Sequence, residues 1–249
     1  MAAAASPTGD ETPEPAEAEL PPVVSVELTE DVRSYWLARV AQHTLDSYAG
    51  VRLSKFPEDL RMYEHLLWLS SANVVIEIGA QFGASALWFR DRLRALEQYG
   101  RVAGGRVISI DSNIGLARDE LARADPGYAE QITLVEADVR DPALPARVTG
   151  LTPVGSRCFV VEDSAHTYDT TWAALTGFAQ FVPVGGFFVV EDGCVDVEEM
   201  RLTETWPRGV LPALDDWLAT SQAAGFTVRR DLERYGISCH PRGFLQRTS

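Results

Sequence analysis

Lysine is almost absent: of 22 basic residues 21 are arginine and the single lysine is Lys55. No Lys/Arg block or basic stripe occurs, which argues against a nucleic-acid polymer as partner. Residues 1–31 contain no base at all against eight acids, leaving 28 acids and 22 bases in the rest of a chain whose net charge is −14. Cysteine is scarce too. Cys158, Cys194 and Cys239 are too few and too scattered for a disulfide framework or a zinc site. Long apolar runs are missing, since the stretch Phe178–Val190 is interrupted by Gln180, Pro183, Gly185 and Gly186, so no membrane span is expected. No positive region precedes an apolar stretch near Met1, so no secretory signal is read. The expectation is a soluble, cytoplasmic protein.

What is present suffices for one large core: 249 residues with 46% hydrophobic content. Residues 1–26, rich in Ala, Pro, Glu and Thr, read as a disordered acidic tail. Residues 27–72 read as an N-terminal helical cap. One helix is capped near Thr29 with Val32, Trp36, Val40 and Thr44 on one face, and a second starts at Pro57. From residue 73 to 249 strands and helices alternate, predicting an α/β, Rossmann-like, doubly wound and mostly parallel seven-stranded sheet. Strands are expected at 73–79, 106–111, 132–137 and in two later runs, with helices at about 84–98, 114–124, 143–148 and 168–181. Tyr168, Trp172, Leu175 and Ala179 are the expected buried face of the last of these. A functional loop is expected at 193–209 and a helix at 212–224. Strand-like runs at 226–233 and 237–246, joined by a tight link at Arg234-Tyr235-Gly236, predict a C-terminal antiparallel hairpin. That ending suits a class I methyltransferase better than a dehydrogenase.

One pentapeptide occurs twice, Phe159-Val-Val-Glu-Asp163 and Phe188-Val-Val-Glu-Asp192. Each reads as a buried strand of a parallel sheet that ends in carboxylates. Ligands of such sheets bind beyond the carboxyl ends of the strands. Asp163, Glu191 and Asp192 therefore offer hard oxygen donors suited to Mg²⁺; the plainer reading makes them helix caps. Between the first strand and its helix lies Glu77-Ile-Gly79-Ala-Gln-Phe-Gly83-Ala-Ser85, which lacks the G-x-G-x-x-G spacing of a dinucleotide site. Asp111, ending the second strand, is placed to accept ribose hydroxyls. Asp138, just beyond the third, is placed to reach an adenine amine.

The loop E-x-G-x-x-x-G-x-S is similar to that of metal-dependent S-adenosylmethionine O-methyltransferases, including the catechol type. More closely, residues from about Ser54 to Asp192 resemble the cephalosporin hydroxylase and rhamnosyl O-methyltransferase family. The matching stretches are Lys55-Phe-Pro-Glu-Asp59 with Tyr63, Leu66, Leu67 and Trp68, the Glu77–Ser85 loop, Asp163-Ser-Ala-His166 and Glu191-Asp192. The resemblance implies a class I fold and S-adenosylmethionine as cofactor, with Glu77, Gly79, Gly83, Ser85, Asp111 and Asp138 around it. It also implies Mg²⁺ on Asp163, Glu191 and Asp192.

His166, three residues beyond Asp163, is a candidate general base, or else a helix cap or a hydrogen-bond partner of a ligand carboxylate, whereas His240 reads as structural. Lys55 and Tyr63 are candidate substrate contacts. The function expected is Mg²⁺-dependent O-methylation of a hydroxyl on a small natural product, with a deoxysugar on a polyketide or macrolide as leading acceptor. Tailoring of a β-lactam with a partner protein, or a non-catalytic cofactor-binding subunit, are the alternatives. A small-molecule substrate is the expected partner, with a homo-oligomer left open.

Overall fold

The computed structural model describes residues 31–249; the acidic tail at 1–26 and the cap at Thr29 lie outside them. Helix α1 (Val32–His43) begins at Asp31, whose carboxylate accepts the Ser34 N–H at 2.9 Å. A small hairpin, β1 (Ser47–Tyr48) and β2 (Val51–Arg52), precedes α2 (Pro57–Ser70), which starts on proline as its fixed φ allows. Then come β3 (Val74–Ile78), α3 (Ala84–Gln98), β4 (Arg106–Asp111), α4 (Gly115–Ala124) and β5 (Ile132–Glu136). After α5 (Leu144–Leu151) follow β6 (Cys158–Glu162), α6 (Tyr168–Phe178), β7 (Phe187–Val190), α7 (Val210–Leu218), β8 (Phe226–Val228) and β9 (Phe244–Arg247).

Among the described residues these form a seven-stranded sheet of order β5-β4-β3-β6-β7-β9-β8, parallel except for β9, which runs antiparallel to β7 and β8. Every residue of β3, β6 and β7 is buried, as their β-branched and aromatic runs require of strands covered on both faces. One face packs Val75, Phe159 and Val161 against Met62 and Leu66 of α2 and Leu87 and Phe89 of α3. The other packs Ile76, Val160 and Phe188 against Leu175 and Phe178 of α6 and Leu214 and Trp217 of α7. Each large side chain so buried contributes about 1.5–3 kcal/mol. From β3 the chain winds outward to β4 and β5, then returns to β6 and winds the other way. The crevice at that reversal, beyond the carboxyl ends of β3 and β6, is where such sheets bind ligands.

Two expectations need correction. The last two strands do pair antiparallel, but not as a tight hairpin: residues 229–243 leave the sheet between β8 and β9. Long-range contacts pull them away. Leu232 is buried in the core beside α2 and α3, and the Asp59 carboxylate accepts the Ser238 hydroxyl at 2.7 Å and the Cys239 N–H at 3.1 Å. Second, the buried face of α6 is offset from expectation: Leu175 is buried and so is Ala179 just past the helix, but Thr171, Ala174 and Phe178 complete that face instead of Tyr168 and Trp172. Tyr168 and Trp172 stack on each other nearer the surface, with the Tyr168 hydroxyl on Asp216. The segment 193–209, expected as a loop, is tied down by its own contacts. It holds two 3₁₀ turns, and the buried Arg201 guanidinium donates to the carbonyls of Val195, Glu204, Trp206 and Pro207. Asp196 accepts the N–H groups of Gly209 and Leu211 at 2.8 and 2.7 Å, capping α7. Trp36 of α1 ties this segment down by donating to the Met200 carbonyl at 2.6 Å.

Candidate active site

A cavity of about 610 Å³ opens at the reversal, with Gly79, Asp111, Asp138, Asp163, His166 and Asp192 among its lining residues. Its size lies within the range of small-molecule sites. The C-terminal end of α1 (Val40, His43) and the pair Trp206-Pro207 complete its walls.

The half of the cavity beside β4 and β5 is polar and loop-built. Gly79 has φ +109°, and a Cβ there would lie 1.8 Å from the Asp163 carbonyl oxygen, so only glycine lets β3 end against β6. Asp111 Oδ2 accepts the N–H groups of Ala80 and Gln81 at 2.9 and 3.1 Å, and Oδ1 accepts that of Asn113 at 3.0 Å. The acid at the end of β4 thus also fixes the glycine loop. Asp138 pairs with Arg140, whose hydrogen bonds hold its pKa down at about 2, so it meets any ligand as a carboxylate.

Three residues expected around the cofactor stand back from the main cavity. Gly83 packs helices: a Cβ there would meet Leu121 of α4 at 2.8 Å. Ser85 is buried at the head of α3 and lines only a small recess beside Lys55. Glu77 is wholly buried, accepts the Ser109 hydroxyl at 2.5 Å and leaves Oε1 without a partner; burial raises its pKa to about 7.

The other half is acidic. Asp163, His166 and Asp192 each present a donor atom, all within 4.8 Å of one another. The His166 Nε2 lies 3.5 Å from Asp192 Oδ2 and 3.8 Å from Asp163 Oδ1, while its buried Nδ1 has no partner. His166 and Asp192 both sit in the left-handed region, at φ 55° and 54°, a strain typical of functional positions. Burial works against a charged His166 imidazole, but Asp192 and Asp163 outweigh it and its pKa is raised.

Glu191 lies behind this group, 2% exposed and absent from the cavity wall. Its oxygens accept Lys55 Nζ at 2.6 and 2.7 Å, and Oε1 also accepts the Tyr63 hydroxyl at 2.7 Å. Lys55 donates a further bond to Asp163 Oδ2 at 2.8 Å. Lys55 and Tyr63, expected to touch the substrate, are therefore turned inward onto carboxylates and line no part of the main cavity. Expected to be structural, His240 joins the same network. Its Nδ1 accepts the Asp192 N–H at 3.1 Å, which leaves the proton of a neutral ring on Nε2, 3.0 Å from the Tyr63 oxygen. Asp59 lies in a stretch marked by the resemblance, but its bonds to Ser238 and Cys239 have no local signal, since they span 179 and 180 residues of chain.

The residues present fit both groups the resemblance implies. Asp163 and Asp192 supply hard oxygens for a divalent cation. Acids beyond β4 and β5, beside a glycine turn, suit a nucleoside.

A doubly wound sheet closed by an antiparallel pair, with its site at the strand-order reversal, defines a class I methyltransferase. Residues 40–248 match the model of the family described as Rhamnosyl O-methyltransferase/CmcI, and the chain belongs to that family. A rhamnosyl O-methyltransferase of Mycobacterium bovis is 27% identical over 209 residues, covering 82% of this chain and 79% of that one. One from Mycobacterium leprae is 25% identical over 148 residues, 59% of each chain. Among solved structures, CmcI with Mg and SAM superposes with a TM-score of 0.60 at 18% identity, covering 92% of this chain and 90% of that one. An O-methyltransferase from Bacillus cereus in complex with SAH gives 0.53 at 16% identity, covering 81% and 84%. These structural likenesses concern the fold.

Proposed function

We propose that the protein is a Mg²⁺-dependent O-methyltransferase that moves a methyl group from S-adenosylmethionine to a hydroxyl of a small natural product, with a rhamnose-type deoxysugar as favoured acceptor. Such a step belongs to natural-product tailoring, antibiotic biosynthesis included, and to a cytoplasmic setting. Residues 73–249 would form the methyltransferase domain, with 27–72 as its helical cap. The observation that carries the reading is the convergence of Asp163, His166 and Asp192 on a cavity whose other end is built by Gly79, Asp111 and Asp138. The relatives named rhamnosyl O-methyltransferase support the acceptor class.

When bound, the cofactor supplies a transferable methyl group and Mg²⁺ a positive charge beside the acceptor oxygen. The chain supplies position, charge and a base. Asp111 and the loop amides it fixes, with Gly79, would seat the ribose, and Asp138 would accept from the adenine amine. Asp163 and Asp192 would hold the cation. His166 presents nitrogen, a poorer match to Mg²⁺ than oxygen, and is left to take the hydroxyl proton at Nε2. Seating the acceptor in line with the methyl supplies much of the rate advantage.

The test is mass spectrometry of demethyl rhamnosides incubated with the protein and S-adenosylmethionine, with Mg²⁺ or with excess chelator. A gain of one methyl group that needs Mg²⁺ and collapses in Asp192→Asn and His166→Ala is expected. Full methylation in chelator would return the carboxylates to helix caps. Turnover of other hydroxylated acceptors, with none of any rhamnoside, would overturn the acceptor class.

A further inference from the structure

The cavity carries a second imidazole to which the methyl-transfer step gives no task. His43 is the last residue of α1 and stands half-buried on the cavity wall. Its ring is held from two sides. Nδ1 meets the Val40 carbonyl of its own helix, which can only accept, so Nδ1 carries the proton. The ring also meets Phe56 edge to face, with centroids 4.7 Å apart and planes at 79°. Phe56 is 2% exposed and packs on Trp36 of α1 at 5.1 Å, and Trp36 is bonded to the Met200 carbonyl. Helix α1, the stretch before α2 and the segment that bears Trp206 and Pro207 are thereby joined. Packing of this kind fixes a side chain in one orientation.

Nε2 is the nitrogen left over. With the proton on Nδ1, Nε2 of a neutral ring has a lone pair and no proton. It has no hydrogen-bond partner among the described residues and is not sealed inside the protein. Burial lowers the pKa of the ring, which favours the neutral form. His166 differs: it sits between Asp163 and Asp192, whereas His43 forms no ion pair with a carboxylate among the described residues. The charges acting on His43 include those of Asp192 and Asp163, which places it over the acidic half of the cavity, where the acceptor must sit.

A lone pair fixed in place selects a donor, and the donor that a sugar offers is a hydroxyl. The hydroxyl to be methylated belongs to His166 and the cation. One reached from α1 is a different one.

We propose that His43 determines acceptor specificity: its Nε2 accepts a hydrogen bond from a second hydroxyl of the acceptor, not the one methylated, so that the site favours polyhydroxylated acceptors over those with a lone hydroxyl. This rests on the O-methyltransferase reading above and goes beyond it by requiring that second hydroxyl and naming its partner.

The test pairs variants with acceptors. A demethyl rhamnoside and its analogues lacking one non-reacting hydroxyl at a time are offered to the full chain, to His43→Phe and to His43→Gln. One analogue should be methylated by the unaltered chain with kcat/KM about tenfold lower than the rhamnoside, the loss of one hydrogen bond. His43→Phe keeps a ring against Phe56 but has no acceptor. It should raise KM for the rhamnoside about tenfold, leave kcat and the affinity for S-adenosylmethionine within about twofold, and no longer discriminate against that analogue. His43→Gln, whose amide oxygen can stand in for Nε2, should recover most of the loss. A His43→Phe defect equal on every acceptor would mean packing alone and overturn the inference while sparing the function. Equal turnover of all analogues by the unaltered chain would do the same. No methylation of any hydroxylated acceptor would overturn both readings.

A second measurement reads the ring in the unaltered chain, whatever the variants do to folding. With ¹⁵N-histidine, His43 Nε2 should give a pyridine-like signal that moves upfield when the demethyl rhamnoside is added in the presence of S-adenosylhomocysteine. A protonated, pyrrole-like Nε2, or a signal that stays in place at saturating rhamnoside, would overturn the inference.

Discussion

The carbonyl oxygen of Asp163 stands 1.8 Å from where a Cβ on Gly79 would lie, so the ends of β3 and β6 meet backbone to backbone at the floor of the site. The contact is made firm by Asp163 N–H donating to the Ile78 carbonyl at 2.7 Å. Neither strand end can yield without moving a residue that lines the cavity.

Gly79→Ala should therefore damage both fold and site. A left-handed φ and a backbone clash together cost about 3 kcal/mol or more, a fall in melting temperature of roughly 6–12 °C. Calorimetric melting checks this, and an unchanged melting temperature would show that the strand ends can part.

Asp59→Ala should release the segment 229–243. It strands the Ser238 hydroxyl and the Cys239 N–H, both buried partners of Asp59, at about 2–3 kcal/mol. Urea unfolding should register the loss, and hydrogen exchange should quicken at Cys239 and His240. Exchange that stays slow there would mean the segment is held by packing alone.

Asp111→Ala should weaken S-adenosylmethionine binding by about 1.5–3 kcal/mol, roughly 10- to 150-fold. The substitution removes an acceptor for the ribose and frees three loop N–H groups that Asp111 holds. Titration calorimetry decides; equal affinity in the variant would move the nucleoside elsewhere in the cavity.

Glu77 makes stability depend on pH. Burial raises its pKa from 4.5 to about 7, so between those values the folded chain holds a proton that the unfolded chain has lost. The associated stability is complete below pH 4.5 and disappears as pH rises through 7, about 3 kcal/mol in all. Glu77→Gln removes that slope, so relative to the parent it should gain stability from pH 5 to pH 8. Urea midpoints at both pH values test the sign, and a difference that does not change with pH would refute the shift.

The sheet was legible because buried parallel strands leave continuous β-branched runs, as in Phe159–Val161 and Phe188–Val190. The acids closing those runs pointed to the crevice for the same reason. Direction was harder to read. The alternation in 226–233 and 237–246 resembles paired strands, yet Asp59 and the buried Leu232 draw that chain off the sheet. Lys55 stood out in the sequence as an oddity, but its partners lie 108 and 136 residues away. Local pattern reports which side of an element is apolar; it does not report which distant carboxylate a side chain will meet.

With its one lysine sealed among carboxylates, the protein exposes no side-chain amine among the cations of its surface. Among the described residues the exposed permanent cations are guanidinium groups, which stay charged and condense poorly with carbonyls. Reducing sugars, aldehydes and acylating or ubiquitin-transferring agents that work through lysine find no side-chain target. Schiff-base chemistry with carbonyl compounds is thereby closed to the side chains of its surface.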